Sequence, residues 1–314
     1  VAVPGTEFQR RAGVEDSPEL MYSDMMKAGL GLNYPELVRT VAENALDAFT
    51  WTIDYLGVEY MDRVDLFGGH SVARSHAAAR VTGASIVSPM LRKLRELQIP
   101  VLNECTLRKL MVTDGAVGGV EVSLAGGDGT IRTYHARKGV VLASGGFGGD
   151  VAFRSAQDPR LTAEIDTTNR RSATSEVLVE ALRLGAMPVQ LSQIQLGPWT
   201  SPDEKGFGVG PLFADYIAFI HGILVHPETG KRFVDERSDR KTLSDALLAV
   251  GEPSVCISDH AAVERSGWNL STALKKQIVR TFPSLEALAD AYGISAEGLK
   301  STVVNLQTQV DRPD

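Results

Sequence analysis

Apolar residues recur at spacings of three and four in several stretches of the chain, which predicts amphipathic helices. A helix is predicted to begin at Ser17-Pro18, because serine caps a helix and proline costs nothing at its first position. The longest predicted helix follows Pro35 and ends at Gly57. Further helices are predicted at residues 85–97, 175–184, 284–292 and 295–310.

Between residues 100 and 144 the pattern changes to short apolar runs, which predict strands at residues 101–102, 107–112, 117–122, 131–135 and 140–143. Asp-Gly and Gly-Gly turns separate them, so we expect a small antiparallel meander that returns into a buried strand. Residues 196–210 are rich in proline and glycine and predict an exposed loop or lid edge. A strand at 223–226 and a turn at 227–230 follow. The composition shift near residues 190–210 predicts two domains, residues 1–191 and 192–314.

Composition narrows the function classes. The 314 residues are 43% hydrophobic and 23% charged, as in globular proteins. A net charge of −7 argues against a nucleic-acid partner but leaves a small anionic substrate open. The two cysteines, Cys105 and Cys256, lack metal-site spacing, so we expect buried free thiols and no metal. No apolar run reaches the roughly 20 residues of a membrane span.

The two ends of the sequence carry no recognisable start or stop. The chain begins with Val1 and has no charged segment followed by an apolar run, so no signal peptide is predicted. We expect a processed or excised chain, which leaves the compartment, cytoplasmic or periplasmic, open.

Two motifs carry candidate chemistry. Residues 140–148 form an apolar run ending in Ala143, Ser144 and glycines, where backbone could approach a ligand closely. A tight turn without ligand is the alternative. Residues 230–240 combine three arginines and three carboxylates around Phe233-Val234. A solvated charged loop would explain them, unless the apolar pair anchors the segment and directs some charges into a pocket.

Together these motifs resemble the ATGGFG and GxRFxxE…R motifs of the fumarate reductase/succinate dehydrogenase flavoprotein family. Collinear partial matches occur at residues 13–20, 68–76, 167–176 and 193–195. The resemblance implies an α/β (mixed α+β) fold: the later part of a glutathione-reductase-like FAD-binding domain with a small antiparallel meander, plus an α+β capping domain. It also implies an interior fragment that lacks the N-terminal GxGxxG segment and the C-terminal segment.

Position by position, the resemblance implies roles for individual residues. Those on the adenosine side of FAD would be Thr106, Ala143, Ser144 and Gly145, and Glu176 would take the acidic position near the flavin. Arg240 would be the catalytic acid facing the flavin ring across the substrate. Substrate positions would fall on Gly197, Trp199 and Glu236, and Glu236 or Asp239 could resupply a proton.

Departures from the family pattern shape the substrate expectation. Gly197 replaces the histidine that grips one carboxylate of a dicarboxylate, which favours a bulkier enoate with Trp199 lining its site. The family's ExxR relay falls near Asp215, where the acid is kept and the arginine is not. Ser175 and Val177 replace two glycines near the flavin.

The resemblance therefore implies an FAD-dependent reductase of an α,β-unsaturated carboxylate, fumarate-like or bulkier such as urocanate. Hydride would come from flavin N5, and electrons from a haem or FMN domain or protein. Two alternatives stay open. One is a non-catalytic fragment unable to hold FAD, and the other is a flavin dehydrogenase of a bulky substrate such as a ketosteroid.

Overall fold

The computed structural model describes residues 1–79, 82–124, 130–204 and 208–310, and the side chains through residue 306. The helices in the first two thirds are α1 (Glu7–Arg11), α2 (Pro18–Ala28), α3 (Pro35–Asp54), α4 (Ala84–Glu96), α5 (Val151–Gln157) and α6 (Glu176–Arg183). Those that follow are α7 (Val209–Phe213), the π-helix π1 (Ala214–Ala218), α8 (Phe219–His221), α9 (Arg240–Val250), α10 (His260–Ser266), α11 (Ser271–Lys275), α12 (Leu285–Tyr292) and α13 (Ala296–Val310). The strands are β1 (Cys105–Thr113), β2 (Ala116–Leu124), β3 (Ile131–His135), β4 (Ile223–Val225) and β5 (Val255–Ile257).

The chain forms two compact units. Unit 1 contains Val1–Ile99, Leu196–Trp199 and Val209–Asp314, and unit 2 contains Pro100–Gln195 and Thr200–Gly208. The fold class is mixed α and β, as predicted. A domain boundary between residues 191 and 192 stays a prediction.

Unit 2 is built on the predicted antiparallel meander, in the order β1-β2-β3. Asp114 and Gly115 connect β1 to β2 with positive φ values of 51° and 78°, the geometry of a two-residue hairpin turn. The predicted Gly-Gly turn falls on residues 125–129, outside the described residues. Helix α6 packs on β1, and the Glu180 carboxylate accepts a hydrogen bond from the Leu110 amide at 2.8 Å.

The predicted buried strand at residues 140–143 is wrong. These residues form no strand, and Val141 is 89% exposed. A strand requires a hydrogen-bonded neighbour, and no described strand pairs with this run, so its apolar sequence alone cannot order it. The predicted strand at residues 101–102 is wrong for the same reason.

In unit 1 the predicted caps are confirmed. The Ser17 hydroxyl accepts from the Leu20 amide at 3.1 Å, and the Ser284 hydroxyl accepts from the Ala287 amide at 3.2 Å. The predicted strand and turn at residues 223–230 are confirmed as β4 and a hairpin, in which the His226 amide donates to the Lys231 carbonyl at 3.0 Å.

The core that carries the site surrounds π1 and α9. Its buried members are Ala214, Phe219, Leu224 and Leu243. Phe233 and Val234 pack against it, so the predicted inward anchoring of the charged segment is confirmed. Trp199 also packs here and is half-buried, so the predicted exposure of the loop is wrong at this residue, while Gly197 is exposed as predicted. The indole ring buries apolar surface that a solvated loop would leave in water. Residues 205–207 lie outside the described residues.

Candidate functional site

The turn at residues 143–150 of unit 2 presents bare backbone. Ala143, Ser144 and Gly145 are exposed, and Gly145 has φ of +84° with open space where a side chain would project. Within the described part of the chain, no hydrogen bond engages the N–H groups of Ser144, Gly145 and Gly146. Free amides without side-chain cover suit a cofactor that carries phosphates and a ring edge. The geometry of this turn therefore fits FAD.

Asp150 connects this turn to the start of α6. Its carboxylate accepts from the Ser175 hydroxyl at 2.6 Å and from the Phe153 amide at 2.9 Å. These hydrogen bonds, led by that of Ser175, hold the pKa of Asp150 below its ordinary value. The Gly149 amide also donates to the Ala173 carbonyl at 2.8 Å. Glu176, exposed at the first position of α6, is thereby held beside the turn, and its carboxylate accepts from the Thr174 hydroxyl.

Arg154 is a buried guanidinium behind the same turn. It is 5% exposed and donates to the carbonyls of Gly148 (2.8 Å), Leu161 (3.1 Å), Thr162 (2.7 Å) and Ile165 (2.6 Å). Because no described carboxylate pairs with it, these carbonyl dipoles alone stabilise its charge. Arg154 therefore fixes the Gly148 carbonyl to the loop at residues 158–165.

Replacing Arg154 with methionine should lower the free energy of unfolding by about 3 kcal/mol, because four carbonyls lose a charged donor. The matched control is Arg183→Met on α6. Its guanidinium is 53% exposed and pairs with Glu180, a type of contact worth about 1 kcal/mol or less. Urea denaturation measures both variants. Equal effects would contradict the role of Arg154.

Thr106 lies on β1 opposite Ser123 with its side chain exposed. The structure gives no contact between it and the 143–150 turn. Its role on the adenosine side stays a prediction, as do those of Ala143, Ser144, Gly145 and Glu176.

In unit 1, Arg240 lies at the first position of α9. Asp239 caps this helix, and its carboxylate accepts from the amides of Lys241 (2.9 Å) and Thr242 (3.1 Å). The Arg240 guanidinium is exposed and lies over the Trp199 ring, 5.8 Å from its centroid. Trp199 in turn packs its edge on Phe219, with ring centroids 4.2 Å apart. An aromatic face thus holds the cation in place.

Asp215 is the acidic partner of this cation. It lies on π1, and π-helical turns are frequent at functional sites because they re-aim side chains. Burial raises the pKa of Asp215, and the nearby Arg240 charge partly offsets the rise. Within the described residues the structure shows no salt bridge between Asp215 and Arg240. Their charges therefore interact over a longer distance than a direct contact.

Gly197 lies two residues before Trp199. The preceding Leu196 carbonyl accepts from the Ser244 hydroxyl on α9 at 3.4 Å, which ties this segment to the helix of Arg240. A side chain at Gly197 would meet nothing within 4 Å. Two residues predicted from sequence, Trp199 and Arg240, are therefore brought together, and Gly197 lies two residues before Trp199.

Glu236 is placed differently. It is 5% exposed, and its carboxylate accepts from the Leu224 amide at 2.6 Å and from Arg232 Nε at 2.9 Å. These contacts tie β4 to the charged segment and favour a structural role. Substrate binding by Glu236 stays a prediction. Asp239 likewise uses its carboxylate as a helix cap.

Sequence reasoning overlooked three structural features that shape the site. The cap role of Asp239 could have been predicted, because Asp239 precedes an apolar helical pattern that ends at Gly251. In the structure Gly251 ends the helix with φ of +80°. The buried position of Arg154 and the link between Asp150 and Ser175 depend on contacts made after folding, and no local pattern signals them.

The mixed α and β fold with its small antiparallel meander agrees with the resemblance to the fumarate reductase flavoproteins. The chain belongs to the FAD binding domain family, whose model matches residues 1–313. This membership implies FAD as the cofactor of the intact protein. Among the described residues, no helix combines the length and apolar character that crossing a bilayer requires.

Among its relatives is the acrylate reductase flavoprotein subunit of Shewanella woodyi, 37% identical over 98% of this chain and 63% of that protein. The urocanate reductase of Eggerthella lenta is 32% identical over 79% of this chain and 40% of that protein. The open conformation of a flavocytochrome c3 fumarate reductase superposes with a TM-score of 0.70 at 25% identity, covering 97% of this chain and 52% of that one. The chain thus spans about three fifths or less of the length of these relatives.

Proposed function

We propose that the intact protein is an FAD-dependent reductase of the C=C bond of an α,β-unsaturated monocarboxylate. The observation that carries this proposal is the Arg240 guanidinium at the start of α9, held over Trp199 with Asp215 nearby. Bound FAD, once reduced by the electron donor, would supply a hydride to one alkene carbon. The residues of this chain would then manage the charge and the proton.

Arg240 would stabilise the negative charge that develops on the substrate carboxylate as the alkene is reduced. Its fixed fork of N–H donors suits this role, and a preorganised cation costs little reorganisation. Arg240 would also donate a proton to the second alkene carbon. Arginine is a very weak acid, so a deprotonated Arg240 must regain a proton quickly.

Asp215 would return that proton in its protonated form. Burial raises its pKa, which keeps the acid form present closer to neutral pH. The chain carries alanine at position 218, where the family's relay has an arginine. In this proposal a bridging water, rather than that intermediate guanidinium, would carry the proton from Asp215 to Arg240.

Glycine at position 197, where the family has a histidine that grips one carboxylate of a dicarboxylate, favours a substrate with one carboxylate. A dicarboxylate would need a second partner, and Gly197 offers no side chain. The similarity to an acrylate reductase subunit supports a small enoate over the bulkier enoate expected from the sequence. The haem or FMN electron donor stays a prediction.

Reoxidation of the reduced flavoprotein tests the proposal. The intact protein is reduced anaerobically by a dye and mixed separately with acrylate, fumarate, urocanate and a ketosteroid. We expect fast reoxidation with acrylate and slow reoxidation with fumarate. No reoxidation by any enoate, or a colourless protein that does not take up FAD, would refute it. Faster turnover of urocanate would shift the substrate to the bulky class.

A further inference from the structure

The turn at residues 67–71 of unit 1 contacts both elements that carry the candidate catalytic pair. The Phe67 ring packs on Tyr216, the neighbour of Asp215 on π1, with centroids 5.8 Å apart and planes at 84°. On its other side, Gly68 lies against the backbone just before α9. A Cβ at Gly68 would lie 2.4 Å from the Ser238 carbonyl oxygen and 2.9 Å from that of Arg237.

Such distances are shorter than any side chain tolerates, so only glycine permits this approach. The φ of Gly68 is not in the left-handed region, which means that the close contact and not backbone strain requires glycine. Next along the chain, a Cβ at Gly69 would lie 3.9 Å from the Asp239 Cβ. The turn thus touches the cap of the helix on which Arg240 is the first residue.

A buried ionic cluster anchors the turn from behind. The Asp24 carboxylate accepts from the Ser71 amide at 3.0 Å and from the Ser71 hydroxyl at 2.9 Å. The same carboxylate accepts from Arg74 at 2.7 Å. Arg74 is 1% exposed and also makes a two-pronged contact with the fully buried Asp16, at 2.9 and 3.0 Å. The buried Arg74–Asp16 pair fixes the inner end of this anchor, while the bonds between Asp24 and Ser71 at its outer end are exposed.

We propose that the 67–71 turn, anchored through Asp24, sets the spacing between Arg240 and Asp215, and that Gly68 is the positioning residue that makes this spacing possible. The inference rests on the proposed function, because it gives the spacing a catalytic purpose. Gly68 touches neither substrate nor cofactor in this proposal. It acts through the Ser238–Asp239 backbone.

Gly68→Ala tests the proposal in the intact flavoprotein. The added methyl group pushes Ser238 and Asp239 outward and displaces the start of α9. Displacement of a catalytic group by about 1 Å can cost on the order of 100-fold in rate, so kcat should fall at least about tenfold with little change in KM or FAD content. The matched control is Gly83→Ala at the start of α4, where a Cβ meets nothing within 4 Å and φ is −58°. It should keep full activity.

The pH dependence of kcat separates positioning from simple loss of structure. Asp215 faces Arg240 on α9 and has Tyr216 beside it on π1, while Asp65 and Arg63 act on Tyr216. Withdrawal of Arg240 removes the charge that lowers the pKa of Asp215, so that pKa rises. Since protonated Asp215 is the active form in the proposed mechanism, the alkaline limb of the profile should move to higher pH. Partial unfolding would lower kcat without moving it.

Ser71→Ala is the second variant, for use if Gly68→Ala does not fold. It removes one anchor bond and keeps the Ser71 amide, so the same changes in kcat and in the alkaline limb are expected at smaller size. Unchanged kcat and an unmoved alkaline limb in whichever variant folds would overturn the positioning role.

Arg240→Ala, measured in parallel, distinguishes failure of the positioning role from failure of the proposed function. If it is inactive while the Gly68 and Ser71 variants are normal, only the positioning role is lost, whereas normal turnover of Arg240→Ala sinks the proposed function itself.

Discussion

Arg240→Ala is expected to lower kcat for acrylate reduction by about 10³-fold or more while the protein keeps its FAD. Removal of one preorganised donor to a developing charge typically costs 10²–10³ in rate, and here the proton donor is lost as well. FAD content should not change, because the glycine turn and Arg154 lie in the other unit. Stopped-flow reoxidation and flavin absorbance measure the two effects separately.

The control for this substitution is Lys241→Ala, one residue further along α9. The Lys241 side chain is 68% exposed and pairs with Asp245 on the same helix. Lys241→Ala removes a cation of similar length. It therefore tests whether the loss of any positive charge at this end of α9 explains the fall in kcat. A comparable fall in kcat for both variants would contradict a specific role for Arg240. Arg240→Lys should recover only part of the rate, because an ammonium lacks the planar fork.

Local patterns predicted the meander and six helices, namely α2, α3, α4, α6, α12 and α13, because their signals are contained in a few neighbouring residues. Ser17-Pro18 and Ser284 indicate helix caps. Asp114-Gly115 indicates a turn that only residues tolerant of positive φ can make. Residues 140–143 show the limit of such patterns. An apolar β-branched run predicts a buried strand, yet burial depends on a neighbour that the run itself does not specify.

The candidate site, like the fold, was predicted from the sequence only in part. The resemblance of residues 230–240 to a family motif selected Arg240, and the structure adds Trp199 beneath it and Asp215 near it. Asp239 and Glu236 share that motif, but one caps α9 and the other pairs with Arg232. A carboxylate's role is decided by which amides and guanidinium groups reach it after folding, and these partners lie on β4 and on the helix backbone. The helical pattern after Asp239 indicates its cap role, but sequence spacing does not pair Glu236 with the Leu224 amide.

Gly197→His is expected to raise kcat/KM for a dicarboxylate relative to that for a monocarboxylate. Gly197 has open space where a Cβ would project and an ordinary φ, so a side chain can begin there without backbone strain. A hydrogen bond from a charged donor contributes about 1.5–3 kcal/mol. This corresponds to about a 10- to 150-fold rise in kcat/KM for fumarate, whose second carboxylate gains a partner. Acrylate has no such group and should gain nothing.

The rise in kcat/KM for fumarate in Gly197→His should depend on pH. Histidine is cationic below its ordinary pKa of about 6.5, so the fumarate gain should be larger at pH 6 than at pH 8. Gly197→Ala is the matched control, since it removes the glycine and supplies no donor. It should leave the ratio of the two substrates near its original value. If histidine and alanine changed kcat/KM for fumarate equally, or if histidine raised acrylate and fumarate alike, position 197 would not select between one carboxylate and two.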